Sequence, residues 1–426
     1  MAPLLSFIIP AFNAEQTIEV ATRSVLEQSH QEIELVIVDD GSTDETFARA
    51  AKIIDPRVRV ARRTNRGVAA SRNLGLVLAR GEYVCFLDAD DALLPSFAAS
   101  VMDSIGDSDG ISTAYLDTDA ELRPAARGWY PARSELRLDR LRTNNPLAIG
   151  ATVFRAGVLH EVTRHFGEAF PLNNQVEDWE LLLRFTSLGA KWAEPIQVPL
   201  MLCRLMPGSR SAQSQRVWED GQTLLSRWVP MAERSNAQRN WSIVHFARAL
   251  ANEQGELASR LYEEIGTLTE NDAPTFVGAL RVWAIRQQTS TSRRVLFDEL
   301  HKRIAPIAPS LASRIAADAL APSWHELALR AARSLTARER LVVYGFGRNG
   351  REASRALAAA SIAHKVIDDD PGFSSPLRTT IAELGANDVV LLTPDRRDEI
   401  LARLAPARFS RILTPDTLQL APGEAA

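Results

Sequence analysis

Residues 33–44 have the sequence IELVIVDDGSTD, in which an apolar run stops at two aspartates and a glycine. The run Ile33–Val38 is typical of a buried strand, and Ser42 or Thr43 can cap a helix that begins near Asp44. The same alternation recurs on both sides: strands are predicted over Leu4–Ile9, Val58–Ala61 and Tyr83–Leu87, and helices over Thr17–Leu26 and Val68–Ala79. Strands separated by helices of this length predict βαβ units and a parallel sheet.

Three of these predicted strands end in segments that can contribute to a site: Pro10-Ala11-Phe12-Asn13, Asp39-Asp40 and Asp88-Ala89-Asp90-Asp91. Ligands of parallel sheets bind beyond the carboxyl ends of the strands, so a site is expected here. The aspartates of the third segment repel one another unless a cation or hydrogen-bond donors neutralise them. A divalent ion held by carboxylates and substrate phosphates fits this need. The alternative is a solvated loop that caps a helix over Pro95–Met102.

Composition excludes several classes of protein. The chain has 426 residues, 46% of them hydrophobic and 24% charged, which predicts two to four globular domains. A formal net charge of −4 argues against a general nucleic-acid binder. Two cysteines, Cys85 and Cys203, cannot form a disulfide framework or a zinc site. Without a run of about 18 apolar residues or a signal peptide, the chain is expected to be cytoplasmic.

The pattern changes twice further along the chain. From about Ser211 to Leu335 helical spacing dominates, and core packing is favoured over sugar stacking for the five tryptophans there: Trp218, Trp228, Trp241, Trp283 and Trp324. From Arg340 the strand and helix alternation returns, with strands predicted over Leu341–Tyr344, His364–Ile367, Val389–Leu392 and Arg411–Leu413. The predicted domains are therefore an α/β mixed-sheet domain over 1–212, a helical domain or connector over 213–338, a small Rossmann-like α/β domain over 339–422 and a disordered tail over 423–426.

Four ordered motifs give the first domain a family resemblance. They are Ser6–Asn13, Val36–Asp44, Asn65–Gly75 and Asp88–Asp91, and together they closely resemble the inverting, nucleotide-sugar-dependent glycosyltransferases of family 2. The resemblance covers roughly residues 4–210 and implies the GT-A fold. It also implies a nucleotide-sugar donor, a UDP-sugar by family frequency, and Mg²⁺ or Mn²⁺ as cofactor.

The resemblance assigns donor-binding roles to the residues of these motifs. It implies that Pro10, Ala11 and Phe12 shape the nucleoside pocket, that Glu15 and Asp39 support it, and that Asp40 accepts a hydrogen bond from the base. Arg72 is expected to reach the base or the diphosphate, because a fork of donors suits charged oxygens. Asp88 is expected near the ribose or a metal-bound water, beside Ala89, with Asp90 and Asp91 at the metal.

The same resemblance places a general base at the start of a helix. Glu177-Asp178-Trp179 matches the family's Glu-Asp motif, which makes Asp178 the expected base and Glu177 a secondary polar contact. The alternative is that both acids only favour a helix N-terminus. The chain departs from the family pattern at Met206. Family members often carry at this position a histidine that helps to hold the metal or the diphosphate, and a thioether is a poor ligand for a hard cation. Arg204 or Arg210 is the hypothetical source of compensating charge.

Six arginines lie within 20 residues, at Arg123, Arg127, Arg133, Arg137, Arg140 and Arg142. One interpretation is contact with an acidic, phosphorylated or lipid-linked acceptor, or with an anionic membrane surface. The other is a solvated face paired with Glu135 and Asp139.

A second glycine motif, Gly345-x-Gly347-x-x-Gly350, follows a predicted strand and precedes Asp368, which is the context of a dinucleotide fingerprint. Three interpretations stay open: a degenerate packing or assembly module, a site for a nucleotide or nucleotide sugar, and an active NAD(P)-dependent second domain.

Together these observations predict a metal-dependent inverting glycosyltransferase in surface polysaccharide or glycoconjugate assembly. Its expected partners are a nucleotide-sugar donor and a glycan, lipid-linked or protein acceptor, with no nucleic acid. Peripheral contact with the inner membrane face and oligomerisation through the helical or C-terminal region are left open. The alternatives are a non-catalytic nucleotide-sugar-binding scaffold and a bifunctional protein with an active C-terminal nucleotide-binding domain.

Overall fold

The structure is a computed structural model of the whole chain. The residues it describes are 3–205, 214–251, 254–266, 268–272, 275–276, 279, 305, 331–332, 335–336, 339–344, 353, 357, 362–367, 383–384, 387–392 and 411–413. The chain divides into two compact units, Met1–Ala312 and Ser313–Ala426. The domain boundaries predicted after residues 212 and 338 stay predictions, and the predicted tail lies outside the described residues.

The first unit begins with the predicted alternation of strands and helices. Its elements are β1 (Leu5–Ala11), α1 (Ile18–Leu26), β2 (Ile33–Asp39), α2 (Thr46–Ala51), β3 (Val58–Arg62), α3 (Val68–Leu78), β4 (Tyr83–Phe86), β5 (Ala92–Leu93) and α4 (Phe97–Ile105). Helix α2 begins later than the sequence predicts, because Ser42 accepts a hydrogen bond from the Asn13 amide and Asp44 accepts one from the Thr46 amide.

The second half of this sheet domain mixes strand directions. It contains β6 (Gly110–Thr118), β7 (Pro124–Trp129), a 3₁₀ turn (Arg133–Leu136), α5 (Leu138–Leu141), a second 3₁₀ turn (Ile149–Ala151), β8 (Thr152–Arg155), α6 (Ala156–Phe166), α7 (Glu177–Ser187) and β9 (Ile196–Arg204). The nine strands form one sheet in the order β3-β2-β1-β4-β8-β6-β9-β5, with β7 paired to β6. The first four are parallel, whereas β8 is antiparallel to β4 and to β6.

Apolar residues fill both faces of the sheet, as expected for strands that read as continuous hydrophobic runs. Ile8, Val36 and Phe86 belong to one buried cluster, and Phe7, Leu35 and Cys85 belong to the other. The predicted mixed α/β sheet domain is thus confirmed.

Three helices follow the sheet: α8 (Ser214–Trp228), α9 (Met231–Ala251) and α10 (Gly255–Ile265), with a 3₁₀ turn at Glu270–Asp272. Leu224, Leu225 and Val229 belong to the same buried cluster as Trp179 of α7. Packing is confirmed as the role of three tryptophans: Trp218 is buried, Trp228 lies against Phe166, and Trp241 lies against Trp179. Trp283 and Trp324 lie outside the described residues.

The second unit contains a four-stranded parallel sheet. Its strands are β10 (Arg340–Tyr344), β11 (His364–Ile367), β12 (Asp388–Leu392) and β13 (Arg411–Leu413), in the order β11-β10-β12-β13. Leu341, Val343, Val389 and Leu391 are fully buried in its core. The parallel order confirms the predicted Rossmann-like α/β class for this unit.

Candidate functional site

The carboxyl ends of β1, β2 and β4 meet at one edge of the sheet, as the sequence predicts. Ala11 pairs with Asp39, and the Asp40 amide donates a hydrogen bond to the Ala11 carbonyl at 2.8 Å. Pro10 and Ala11 are buried, while the Phe12 ring that follows them is 50% exposed. The residues expected to bind the nucleoside therefore lie together at one edge of the sheet, where the Phe12 ring is half exposed.

The two aspartates after β2 hold this edge together. Asp39 is fully buried and pairs with Arg62 at 3.1 Å. The Asp40 carboxylate accepts hydrogen bonds from the Gly67 amide at 2.7 Å and the Arg66 amide, and it lies 3.4 Å from the Arg63 guanidinium. It therefore fixes the start of α3 against the end of β2. Its expected contact with the base stays a prediction.

Glu15 ties the β1 loop to the start of α2. Its carboxylate accepts a hydrogen bond from the Glu45 amide at 3.0 Å, and its own amide donates to Asp44 at 3.2 Å. Burial alone raises the pKa of Asp44, but hydrogen bonds from Thr46 and the Glu15 amide outweigh it and lower that pKa.

A turn after β4 carries the acidic cluster. The Asp88 side chain is 34% exposed, Asp90 is half-buried, and Asp91 is only 5% exposed. Burial raises the pKa of Asp91, and the negative charges of Asp90 and Asp88 raise it further. The Arg204 amide, which donates to Asp91 at 2.9 Å, opposes this shift. Three crowded carboxyl groups therefore create a local negative field.

This donor set fits a hard divalent cation that takes further ligands from a substrate. Carboxylate oxygens are the ligands that Mg²⁺ and Mn²⁺ prefer, and Mg²⁺ is usually held by one or two carboxylates plus phosphates. Across the described part of the chain, no group of three or more His, Cys, Asp or Glu side chains is arranged to hold a metal ion by itself. Asp88 and Asp90 are the accessible pair, whereas Asp91 lies behind them.

Arg204 lies beside the acidic turn. Its Nε donates to the Asp90 carbonyl at 2.7 Å, and a terminal nitrogen donates to the Ala120 carbonyl. A cation thus lies next to the aspartates, as the sequence hypothesis proposes. Met206 and Arg210 lie outside the described residues.

A buried arginine joins the acidic turn to the start of α7. Arg72 is 1% exposed, and its two terminal nitrogens donate to Asp88 at 2.6 Å and to Glu177 at 2.8 Å. Burial alone lowers the pKa of Arg72, but the charges of Asp88, Glu177 and Asp178 outweigh it and raise that pKa. The Phe170 ring lies 5.3 Å from the guanidinium carbon. The expected contact of Arg72 with the base or diphosphate stays a prediction.

The expected general base stands at the first turn of α7. The Asp178 carboxylate is partly exposed, accepts a hydrogen bond from the Trp179 amide at 2.7 Å and another from the Asn145 side chain at 3.3 Å. Next to it, the Trp179 indole donates to the Leu141 carbonyl at 2.6 Å. Asn145 was not singled out by the sequence analysis, because only the fold brings it to Asp178.

The opposite side of α7 is fixed by the helices that follow the sheet. Glu180 is buried and accepts hydrogen bonds from Arg184 at 2.9 Å, Arg227 at 2.6 Å and Asn174 at 3.1 Å. Arg227 belongs to α8, so this carboxylate links α7 to the helical region.

The C-terminal glycine motif lies outside the described residues, as do all four members of its expected site: Gly345, Gly347, Gly350 and Asp368. Strand β10, which precedes the motif, is formed as the sequence predicts. No helix in the described residues is long and apolar enough to cross a membrane.

Comparison with known proteins finds similarity to glycosyltransferases. Residues 6–162 match the family described as Glycosyl transferase family 2. The chain is 48% identical over 92 residues to an uncharacterized glycosyltransferase of Haemophilus influenzae, covering 21% of this chain and 37% of the relative. It is 31% identical over 205 residues to the succinoglycan biosynthesis protein ExoO of Rhizobium meliloti, covering 45% of this chain and 58% of the relative.

The name of a third relative states its activity. It is the Escherichia coli UDP-Glc:alpha-D-GlcNAc-diphosphoundecaprenol beta-1,3-glucosyltransferase WfaP, which is 42% identical over 89 residues, or 21% of this chain and 36% of the relative. The chain therefore spans only about 36–58% of the length of these relatives.

Proposed function

The N-terminal sheet domain belongs to glycosyltransferase family 2, and from this premise we propose that the protein is a metal-dependent inverting glycosyltransferase. It transfers one sugar from a nucleotide-sugar donor to a glycan, lipid-linked or protein acceptor in surface polysaccharide or glycoconjugate assembly. One observation carries the proposal: Arg72 holds the acidic turn and the Glu177-Asp178 helix start together at 2.6 and 2.8 Å. The carboxylates proposed to hold the metal ion and the proposed base thus belong to one connected site.

The donor side is the edge formed by Pro10, Ala11, Phe12 and the Asp39-Asp40 pair. Phe12 offers an exposed ring on which a base can stack, and the backbone beside it is fixed by hydrogen bonds. A UDP-sugar is the proposed donor, which agrees with the UDP-Glc in the name of WfaP.

Asp90 and Asp88 are the residues that would hold a divalent ion. When bound, such an ion neutralises the charge that develops on the leaving diphosphate. Asp91 stabilises the turn behind them through the Arg204 amide.

Asp178 is the proposed base. It takes the proton of the acceptor hydroxyl as that oxygen bonds to the anomeric carbon from the face opposite the nucleotide. The bond from the anomeric carbon to the diphosphate oxygen breaks with both electrons on that oxygen, so the configuration inverts. Asn145 orients the carboxylate by donating to one of its oxygens.

The test combines turnover and binding with the full chain. Nucleotide release is measured on UDP-, GDP- and dTDP-sugars with and without Mn²⁺ or Mg²⁺, for wild type, Asp90→Ala and the matched control Asp103→Ala, an exposed aspartate of α4. We expect metal-dependent hydrolysis of one donor, lost in Asp90→Ala and kept in the control. Because hydrolysis can be silent without an acceptor, calorimetry measures donor binding on the same panel. Binding of no donor by either method would contradict the proposal.

Asp178 is tested separately. Asp178→Asn keeps the shape of the side chain but cannot take a proton, so transfer should slow by on the order of 10²–10⁴-fold while donor binding is kept. Turnover close to wild type in this variant would exclude Asp178 as the base.

A further inference from the structure

The segment that precedes the base carries an unusual concentration of arginine. The ten residues from Arg133 to Arg142 contain four arginines, at 133, 137, 140 and 142, and two acids, Glu135 and Asp139. We call them the basic segment; they form the 3₁₀ turn Arg133–Leu136 and helix α5.

The basic segment is attached directly to the start of α7. The carbonyl of Leu141 accepts the hydrogen bond of the Trp179 indole at 2.6 Å. Three residues beyond the segment, Asn145 donates to the Asp178 carboxylate at 3.3 Å. The basic segment is therefore close in the chain and in the fold to the start of α7 that carries Asp178.

The two acids of the segment are already engaged in its own structure. Glu135 accepts a hydrogen bond from the Ala132 amide at 2.8 Å and so closes the 3₁₀ turn. Asp139 lies 3.0 Å from Arg137, and this hydrogen bond is the main cause that lowers the pKa of Asp139. Arg133 and Arg140 are exposed, and neither lies within 4.0 Å of a described carboxylate, although the charge of Arg140 also helps to lower the pKa of Asp139. The Nε of Arg142 is buried and has no hydrogen-bond partner among the described residues.

Other exposed arginines of the chain differ from this segment. Arg49, Arg164 and Arg216 are 41%, 74% and 54% exposed, and each pairs with one acid on its own or a neighbouring helix. Each of these three arginines thus lies beside a carboxylate, whereas the basic segment contains two more arginines than acids.

We infer that the basic segment binds negative charges, either phosphates or carboxylates, on the acceptor, so the acceptor is an anionic glycan. This inference rests on the proposed function, because it needs Asp178 to mark the acceptor side. Forked guanidinium groups recognise both anions by paired hydrogen bonds.

A membrane surface is the less favoured partner. A helix that lies in a membrane interface exposes apolar residues on one face. Leu136 and Leu141 of the basic segment are instead 3% and 0% exposed. The segment offers charge without an apolar anchor, which suits a water-exposed chain of anionic sugars.

The experiment measures binding by fluorescence polarisation of the full chain in low salt. The probes are a labelled oligogalacturonate, a labelled glycerol-phosphate oligomer and a neutral maltooligosaccharide of the same length, and co-sedimentation with vesicles that contain phosphatidylglycerol is measured in parallel. The test variant is Arg133→Gln/Arg137→Gln/Arg140→Gln. The control is Arg49→Gln/Arg164→Gln/Arg216→Gln, which removes the same charge from exposed positions outside the site.

We expect wild type to bind at least one anionic probe and to ignore the neutral one. The test variant should bind that probe about tenfold more weakly, the combined effect of three exposed charge contacts, and the control should keep wild-type affinity. Added salt should weaken wild-type binding. Melting temperatures within about 2 °C of wild type show that both variants fold.

Three outcomes would overturn the inference: no binding of either anionic probe, equal weakening in both triple variants, or binding only to vesicles that contain phosphatidylglycerol. Failure to bind either anionic probe would exclude an anionic glycan as the ligand. Equal weakening in both triple variants would indicate unspecific electrostatic attraction, and binding only to vesicles would indicate that the segment contacts a membrane. Donor calorimetry in the same samples reports on the proposed function independently, because failure of donor binding leaves the probe result unchanged.

Discussion

Replacing Arg72 by methionine tests the connection between the acidic turn and the start of α7. The substitution keeps an unbranched side chain of similar length but removes the guanidinium that donates to Asp88 and Glu177. Glu177 is 2% exposed, so its carboxylate stays buried in the variant without this cation. Asp88 is 34% exposed and can take hydrogen bonds from water instead.

The expected loss of stability in Arg72→Met follows from the difference in burial between Glu177 and Asp88. Breaking a buried ion pair by removing one partner costs about 3–5 kcal/mol, whereas an exposed partner adds only about 0.2–1 kcal/mol. We therefore expect Arg72→Met to lower the free energy of unfolding by about 4 kcal/mol, mostly through Glu177. Adding Glu177→Gln removes the buried charge as well. Because neutral replacement of a whole buried pair is often nearly neutral, the double variant should regain about 2–3 kcal/mol.

Urea unfolding of the full chain, followed by tryptophan fluorescence, measures these differences. Arg57→Met is the matched control, because Arg57 forms a single ion pair with Asp55 at 2.8 Å and both side chains are more than a fifth exposed. It should cost about 1 kcal/mol or less. A loss below about 1 kcal/mol in Arg72→Met, or a double variant less stable than Arg72→Met, would refute the reasoning that the buried Glu177 charge dominates.

Two further predictions concern packing and pH. A Cβ at Gly221 would collide with the Trp241 ring, so Gly221→Ala should lower the free energy of unfolding by about 1–2 kcal/mol, measured in urea. A Cβ at Gly157 would meet no atom within 4 Å, so Gly157→Ala should stabilise its helix by up to about 1 kcal/mol. Equal effects at both glycines would contradict the close packing of Gly221 against Trp241. Glu34 is buried, and although burial raises its pKa, hydrogen bonds from Ser6 and the Arg80 amide and the charge of Arg59 lower it overall. A lowered folded-state pKa stabilises above the unfolded value, so wild type should exceed Glu34→Gln in stability by about 1–3 kcal/mol at pH 7. This difference in stability should shrink as the pH falls below about 4.5. A difference that stays constant with pH would contradict the lowered pKa of Glu34.

Local signals were sufficient for most elements of the fold. The predicted strand Arg411–Leu413 matches β13 residue for residue, and the predicted helix Val68–Ala79 differs from α3 by one residue. Apolar runs and turn residues determine such elements, because each is decided within a few neighbouring positions. The parallel order then places the ends of β1, β2 and β4 at one edge, which the sequence also predicts.

Contacts between distant residues could not be predicted in the same way. Arg72 and Glu177 are 105 residues apart, and Asn145 and Asp178 are 33 apart. No periodicity encodes these pairs, since they depend on how α3, α5 and α7 pack in three dimensions. The start of α2 was predicted too early for a related reason. Ser42 is used by the Asn13 amide across the site, and this long-range bond competes with local capping.

The packing of α7 connects the helical region to the proposed function of the sheet domain. A base must be held in a fixed geometry, and α7 reaches the site with only its first turn. The helical region makes further contacts with α7: Arg227 of α8 donates a hydrogen bond to Glu180, and the rings of Trp179 and Trp241 lie 5.2 Å apart. Asp220 of α8 also accepts a hydrogen bond from the Gln175 amide at 2.8 Å, two residues before the helix begins. Since the same helix turn contacts Arg72 on one side and α8 and α9 on the other, the position of Asp178 depends on both parts of the first unit.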